Sequence, residues 1–197
     1  KKASEIARKR LEDYGARLYF GEHVKELTSD CITTDMGSCY KYDIFIWTGG
    51  VRGQSILAKC GFSTNAKGQL VVNNYLQVVG YENIFAIGDN AEFIDHKSKQ
   101  HAPQVAEVAE TQGKLAAENI ARLIKKLPLK KYELSHFGYI VPLKGHFAIL
   151  QLKNFYIVGF IGWVVQQFVL LRYLLGILSL FKAFKRWNRF ERELHQD

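Results

Sequence analysis

The chain has 197 residues, 48% of them hydrophobic and 23% charged, which excludes a disordered chain and describes one that folds around a core. That length suits one large domain or two small ones. The net charge of +8 calls for an anionic partner, and its distribution narrows the choice. From Arg172 to Arg189 five basic residues and no acidic ones sit among Leu, Phe and Trp, a mixture that points to a membrane surface ahead of nucleic acid.

Three cysteines, Cys31, Cys39 and Cys60, lack metal-like spacing. The odd count suggests reduced thiols in a cytosolic protein, all three acting as small buried hydrophobes. The six histidines are scattered without ligand-like spacing, so no metal is assigned. No secretory signal precedes the first helix, and the chain opens inside that helix as if cut from something longer.

In chain order, residues 3–14 read as a helix, with Ser4 as cap and Gly15 in the left-handed turn after it. RLYFGEHVKEL reads as a strand, and DCITTDMGSCYKYD as a hairpin turning near Asp35-Met36-Gly37. IFIW, residues 44–47, is a wholly apolar run that fits an interior strand buried on both faces, and it breaks at Gly49-Gly50. QLVVNNYLQVVG is a second β-rich stretch, and NIFAI (83–87) reads as a third buried strand, running straight into Gly88 and Asp89. A long helix is predicted over about 103–126, with Pro103 in its first turn. Its packed face is Ala106, Ala109, Gly113, Ala116, Ile120 and Leu123. That face is small near the helix start, which suits either close approach of a flat ligand or a tight helix–sheet contact.

Leu127-Pro128 closes that unit. FGYIVPLKGHFAILQLKNFYIVG reads as two or three short strands around Lys144-Gly145. The remainder is helical. The apolar stretch FYIVGFIGWVVQQFVLL falls short of the ~20 residues that a bilayer core needs and contains Gln166 and Gln167, so it is not expected to span. In the following stretch Leu174, Ile177, Leu178, Phe181, Phe184, Trp187 and Phe190 fall on one side of a helix. Ser179, Lys182, Lys185, Arg186 and Arg189 fall on the other. Such a helix lies in the interface, with rings in the acyl boundary and cations on anionic headgroups. A core-packed helix with a solvated basic face is the alternative.

A glycine and a carboxylate closing a buried strand suit a ligand-binding turn: glycine lets a ligand approach the backbone, and the carboxylate accepts from sugar-like hydroxyls. Here the chain resembles the C-terminal half of a two-dinucleotide-binding-domain flavoprotein of the pyridine nucleotide-disulfide oxidoreductase type, in particular the type II NADH dehydrogenases (NADH:quinone oxidoreductases). YDIFIWTGGVR resembles the crossover strand between the NADH and FAD domains. LVVNNYLQVVGYENIFAIGD resembles the second FAD fingerprint, and APQVAEVAETQGKLAAENIARLI the helix whose first turn faces the flavin. FGYIVPLKGHFAIL and YIVGFIGWVVQQFVLLRYLLG resemble the C-terminal domain.

The resemblance implies an α/β fold: partial FAD/NAD(P)-binding Rossmann-like domains, then a small β plus α-helical membrane-associating region. Residues 1–42 would be the tail of the NADH domain, 43–127 the C-terminal part of the FAD domain, and 128–197 the C-terminal domain. It implies an FAD-dependent NADH dehydrogenase that passes electrons from NADH to a membrane quinone, peripheral on the cytoplasmic face of the inner membrane and a homodimer. Nucleic acid is not an implied partner. Asp89 would accept from the ribityl chain, with Gly88 making room. Gly50 would sit where the crossover passes the dinucleotide, and Val105 and Ala106 would present amides to the isoalloxazine. Phe181, Lys182, Phe184, Lys185, Arg186, Trp187 and Arg189 would form the membrane anchor.

There are departures. The family's Ala-Gln-x-Ala-x-Gln reads Ala106-Glu107-Val108-Ala109-Glu110-Thr111 here, so Glu107 and Thr111 stand at the quinone side where two glutamines are usual, and Glu107 would either bond or protonate a quinone carbonyl or be a solvated helix residue. The usual threonine before the fingerprint is Gln77. A tryptophan and a histidine common in the C-terminal segment are Gln166 and Leu170. These changes bear on the acceptor more than on the flavin. No GxGxxG occurs, so the diphosphate fingerprints would lie upstream of residue 1, and the fragment alone is expected to be inactive and to hold neither cofactor tightly. Other flavoprotein reductases (sulfide:quinone or ferredoxin/NAD types) and a non-enzymatic basic membrane-binding module remain alternatives.

Overall fold

The computed structural model describes residues 2–135, 138–152 and 155–195. The chain divides into two compact units, residues 1–45 with 137–197, and residues 46–136.

The first unit begins with α1 (Lys2–Asp13), which ends at Gly15 with φ +81°, the left-handed turn that glycine adopts without strain. Ser4 lies within this helix and does not cap it. β1 (Val24–Leu27), β2 (Cys31–Thr34) and β3 (Cys39–Lys41) form an antiparallel sheet in that order. Only the last four residues of RLYFGEHVKEL are strand, because β2 is short and offers no more partners. The hairpin turns through Asp35-Met36-Gly37, as its sequence predicts, and Asp35 Oδ1 takes the His23 amide at 2.9 Å. The expectation of three reduced, buried thiols is overturned. Cys31 and Cys39 are joined as a disulfide with Cα atoms 5.7 Å apart, and Cys60 is exposed. Thr33 pairs with Cys39, so Cys31, two residues away, shares its face and meets it diagonally.

A second antiparallel sheet follows: β6 (Tyr139–Leu143), β7 (Phe147–Leu152) and β8 (Phe155–Gly159), with the first turn at Lys144-Gly145 as expected. Of the stretch read as strands, Phe137, Lys153 and Asn154 lie outside the described residues, as do His136 before it and Gln196 and Asp197 at the chain's end. α4 (Phe160–Ile177) packs on β7, in which Ala148, Ile149 and Leu150 are buried. Gly162 is what lets it approach: a Cβ there would collide with the Ala148 carbonyl. α4 is long and apolar enough, by length and composition, to cross a membrane, and only 17% of it is buried in the protein. Its buried stripe is Gly162, Gln167 and Leu174.

The amphipathic segment is not one continuous helix. The chain breaks at Leu178-Ser179, so Leu174 and Ile177 end α4, and α5 (Leu180–His195) starts afresh. α5 packs on α4 through Ala183, and the Trp187 indole N–H donates to Gln167 Oε1 at 2.9 Å. The glutamine that reads as an obstacle to spanning is therefore the acceptor that docks the last helix.

In the second unit, α2 (Ile56–Lys59) precedes β4 (Leu70–Val71), which pairs in parallel with β5 (Ala91–Glu92). Between them a 3₁₀ turn spans Gly88–Asn90. α3 (Ala106–Ile124) follows, capped by the extended Val105, so Pro103 lies before the helix and not in its first turn. The core joins Leu70, Val72, Leu76, Val78, Phe93, Ala116 and Tyr132, with the Phe93 and Tyr132 rings edge to face at 5.0 Å. The buried face of α3 is Val108, Gln112, Ala116 and Asn119, and Ile120 and Leu123 of the expected face are exposed. Asn119 displaces them because it serves backbone: it donates to the carbonyls of Tyr75 (3.1 Å) and Lys130 (2.9 Å) and accepts from the Lys130 amide (2.8 Å).

Two expected strands are not formed. In IFIW, Ile44, Ile46 and Trp47 are 62–80% exposed without strand pairing, and in NIFAI only Phe85 makes an isolated bridge, to Gln77. A wholly apolar strand requires neighbours on both sides, and the described residues supply none for the first and one bridge for the second.

Replacing Asn119 by Ala leaves buried backbone groups unpaired. The expected loss is about 2–3 kcal/mol in urea unfolding, against well under ~1 kcal/mol for Lys114→Ala on the exposed face of the same helix.

Candidate functional site: the Gly-Asp turn against the start of α3

The apolar run 84–87 delivers the chain to Gly88, whose φ of +59° is left-handed. Two contacts pin the turn to α3. The Gly88 amide donates to Gln112 Oε1 at 2.7 Å, and Gln112 is 1% exposed. A Cβ on Gly88 would stand 3.2 Å from Ala109 Cβ. The positive φ favours glycine here, and a side chain would crowd Ala109.

Around it, amide side chains hold the backbone. Gln69 Nε2 donates to the carbonyls of Asp89 (3.3 Å) and Ala91 (3.2 Å), and Gln104 Nε2 also reaches the Asp89 carbonyl at 3.3 Å. The Gln54 amide donates to Asn90 Oδ1 at 2.9 Å. Asp89 is left exposed, and its carboxylate makes no hydrogen bond among the described residues. Its main chain is fixed while its acceptor oxygens face outward. Beside the turn opens a cavity of about 540 Å³, lined among others by Asn65, Gln69, Phe93, His101 and Gln104. The His101 ring lies 3.4 Å from the Glu92 carboxylate at its wall.

α3 starts at this turn. No side chain caps it, and the Val108 and Ala109 amides bond the Val105 carbonyl at 3.1 Å. The structure thus brings Gly88, Asp89, Val105 and Ala106 to one place. Glu107 and Thr111 share the helix, and Thr111 points into the protein. The Thr111 hydroxyl bonds the Glu107 and Val108 carbonyls at 3.1 and 3.0 Å and lies 2.9 Å from the Tyr132 hydroxyl. Burial pushes the Tyr132 phenol above its ordinary pKa, opposed by the Thr111 hydrogen bond and helped by the Glu107 charge. Gly50 has φ +110° and bonds Thr48, and no hydrogen bond ties it to the turn among the described residues. The residues predicted for the membrane lie on α5, in the other unit. Phe181 and Phe184 are exposed there, and Trp187 is turned toward α4 by its bond to Gln167.

Gln112, Gln69 and Gln104 escaped sequence reasoning. Gln112 carried a usable signal: it sits four residues from both Val108 and Ala116, a polar side chain on the buried stripe. Gln69 and Gln104 act on carbonyls distant in sequence and carried none.

A parallel strand pair, a tightly held Gly-Asp turn and a helix starting against it define an α/β unit of the Rossmann-like class. The family model described as "Pyridine nucleotide-disulphide oxidoreductase" matches residues 1–113, more than half of the chain, and the chain belongs to that family. It is 31% identical over 145 residues to a type II NADH:quinone oxidoreductase of Haemophilus influenzae, covering 73% of this chain and 32% of the relative. It is 32% identical over 101 residues to the protein of the same name from Staphylococcus aureus, covering 51% and 25%. The chain thus spans about a third or less of these relatives. In fold it matches NDH2 from Plasmodium falciparum (TM-score 0.76, 13% identity, 97% of this chain and 55% of that one). A water-forming NADH oxidase from Lactobacillus brevis matches less of it (TM-score 0.58, 24% identity, 74% and 32%).

Two measurements test the turn and the loop that follows it. Gln112→Ala strips the Gly88 amide of its acceptor, with an expected loss of about 1–3 kcal/mol in denaturant unfolding. In the loop beyond the turn, the Ser98 amide and hydroxyl, at 2.7 and 2.8 Å, hold the Asp95 carboxyl below its usual range. A depressed carboxyl stabilises fully above its unfolded pKa, about 4, and progressively less as pH falls through the folded value. Asp95→Asn should therefore lower stability at neutral pH and flatten its acid-side dependence below about pH 4, read by thermal melting across pH.

Proposed function

We propose that this chain forms the C-terminal portion of a flavin-dependent NADH:quinone oxidoreductase. The observation that carries the reading is the Gly-Asp turn, fixed by its main chain against an uncapped helix start with its carboxylate facing out. The names of the curated relatives support it.

The residues present fit the ribityl and ring portions of FAD. Gly88 keeps the approach clear of a side chain, Asp89 accepts from hydroxyls, and the Ala106 amide at the start of α3 favours an electron-rich ring edge, the Val105 amide being taken by the Pro103 carbonyl at 3.0 Å. Gly50, free of a Cβ, lines the dinucleotide's path. When bound, FAD would supply two-electron transfer between NADH and the acceptor. Glu107, in the first turn of α3, is the residue of this chain that hydrogen-bonds or protonates a quinone carbonyl. Thr111, its hydroxyl committed to helix carbonyls and Tyr132, supports that face of the helix by packing.

Membrane association belongs to α4 and α5. α4 exposes Phe160, Ile161, Phe168 and Ile177, and α5 exposes Leu180, Phe181 and Phe184. By helical geometry the exposed aromatic sector of α5 lies between its packed sector (Ala183, Trp187, Phe190) and its basic one (Lys182, Lys185, Arg186, Arg189). Rings then enter the acyl boundary while cations stay on anionic headgroups. The protein sits peripherally on the cytoplasmic face of the inner membrane, and its C-terminal region pairs it as a homodimer.

Steady-state NADH oxidation by the intact protein, with a membrane quinone and then with a soluble dye, tests the activity. Quinone turnover is expected, and dye-only turnover rejects the acceptor. Glu107→Ala should lower quinone turnover by roughly 100-fold while NADH still bleaches the flavin at the wild-type rate. For the surface, Lys185→Glu with Arg186→Glu should weaken sedimentation with anionic vesicles by more than tenfold, at about 1 kcal/mol per basic residue removed. Unchanged sedimentation rejects the anchor.

A further inference from the structure

In the first unit the Cys31–Cys39 disulfide joins the first residues of β2 and β3, across a sequence separation of only 8. β3 is an edge strand of three residues whose neighbour in the sheet is β2. The antiparallel register sets Cys31 opposite Lys41 and Thr33 opposite Cys39, so these four side chains share one face of the sheet. On that face Cys39 is exposed, whereas Cys31 is half-buried.

The hairpin has other means of holding its shape. The Glu22 carboxylate accepts from the Thr34 hydroxyl of β2 at 2.8 Å and from the Tyr40 hydroxyl of β3 at 2.9 Å. The Tyr42 hydroxyl donates to the Thr28 carbonyl at 2.6 Å, and Asp35 holds the His23 amide and ring, both at 2.9 Å. The Tyr19 and Tyr40 rings pack with centroids 4.2 Å apart. These contacts tie the hairpin to the residues on either side of β1. A disulfide across so short a loop constrains the unfolded chain less than one across a long loop. A bond that the fold can spare is one that can open and close in the folded state.

Access decides where exchange begins. An incoming thiolate reaches the exposed Cys39 Sγ ahead of the half-buried Cys31 Sγ, so Cys31 is the leaving sulfur. Lys41, opposite Cys31 on the same face, favours the negative charge that arrives there. Glu26, a carboxylate in register on that face, stands on the other side of β2, opposite Thr33.

We propose that Cys31–Cys39 is a reversible thiol-exchange site, reduced in the folded protein by a dithiol that attacks at Cys39. The attacking sulfur bonds Cys39 Sγ and breaks the disulfide, and the electron pair leaves on Cys31, which takes a proton. The second thiol of the reductant then bonds the first sulfur and releases Cys39, which takes the second proton. Two electrons and two protons pass to the hairpin, and the dithiol leaves as a disulfide. Opening leaves β3 on its hydrogen bonds and ring contacts, immediately before the exposed run 44–47.

The test uses the 197-residue chain with Cys60→Ser, which removes the remaining thiol. Dithiothreitol should reduce the hairpin without denaturant, and oxidised glutathione should re-form the bond once the reductant is removed, with thiols counted by alkylation and intact mass. The reduced chain should still unfold cooperatively, melting no more than about 10 °C lower. Brief exposure of the oxidised chain to glutathione, quenched with a maleimide, locates the attack. Glutathione on Cys39 with maleimide on Cys31 should exceed the reverse by roughly fivefold. A disulfide that yields only in denaturant, or a chain that unfolds on reduction, makes the bond a structural one and overturns the proposal. Thiols that oxidised glutathione fails to join overturn it too, as does glutathione found equally on both sulfurs. None of these readouts involves NADH or flavin, so failure here is distinct from failure of the oxidoreductase reading.

Discussion

The 2.7 Å bond from the Gly88 amide to Gln112 Oε1 is the constraint on which the candidate site depends. A left-handed residue beside a helix has its amide turned from any ladder, and a buried amide without a partner costs about 1–3 kcal/mol. Gln112 supplies that partner from the buried stripe of α3, so turn and helix are set by the same side chain. Ala109 leaves only a tight 3.2 Å gap for a Cβ opposite it, and the left-handed φ of Gly88 favours glycine there. With the main chain of Asp89 held by Gln69 and Gln104, its carboxylate stays free for other work.

The same device recurs in the other unit. Gln167 lies on the buried stripe of an otherwise apolar α4, where a lone amide would be costly, and it accepts the Trp187 indole N–H. The bond fixes the rotation of α5 about its own axis. That rotation turns Phe181 and Phe184 outward and places the basic residues beyond them. A polar residue on a buried stripe therefore marks a docking contact at both places.

Much of this was legible in the sequence where the cause is local. Period and turn chemistry located α1, α3, the Lys144-Gly145 turn, the three strands around it and the helical end. The diagonal cysteine pair was also within reach: a turn centred on Met36 pairs Thr33 with Cys39 and puts Cys31 on the same face. The odd cysteine count argued against it. Other features depend on distant partners and were not legible. IFIW has the composition of an interior strand, yet a strand exists only where neighbours lend it hydrogen bonds. The buried face of α3 was misread because Asn119 outranks Ile120 there. Its three bonds to Tyr75 and Lys130 join segments 44 and 11 residues away, and composition does not encode them. The candidate site itself divides in the same way. Gly88 and Asp89 declared themselves by residue type, while the glutamines that immobilise them did not.

Electrostatics at the turn give a ligand a direction. Asp89 presents acceptor oxygens only, so the ligand end near it must donate, as sugar hydroxyls do. The start of α3 presents the Ala106 amide and carries the positive end of the helix dipole, so a ligand end placed near it would have to accept or carry negative charge. A molecule with hydroxyls at one end and an electron-rich ring at the other satisfies both in one orientation and neither when reversed. Reversal would set acceptor against carboxylate and donor against amide, leaving both protein groups unpaired at about 1–3 kcal/mol each. Gly88, lacking a side chain between the two poles, allows one ligand to span them.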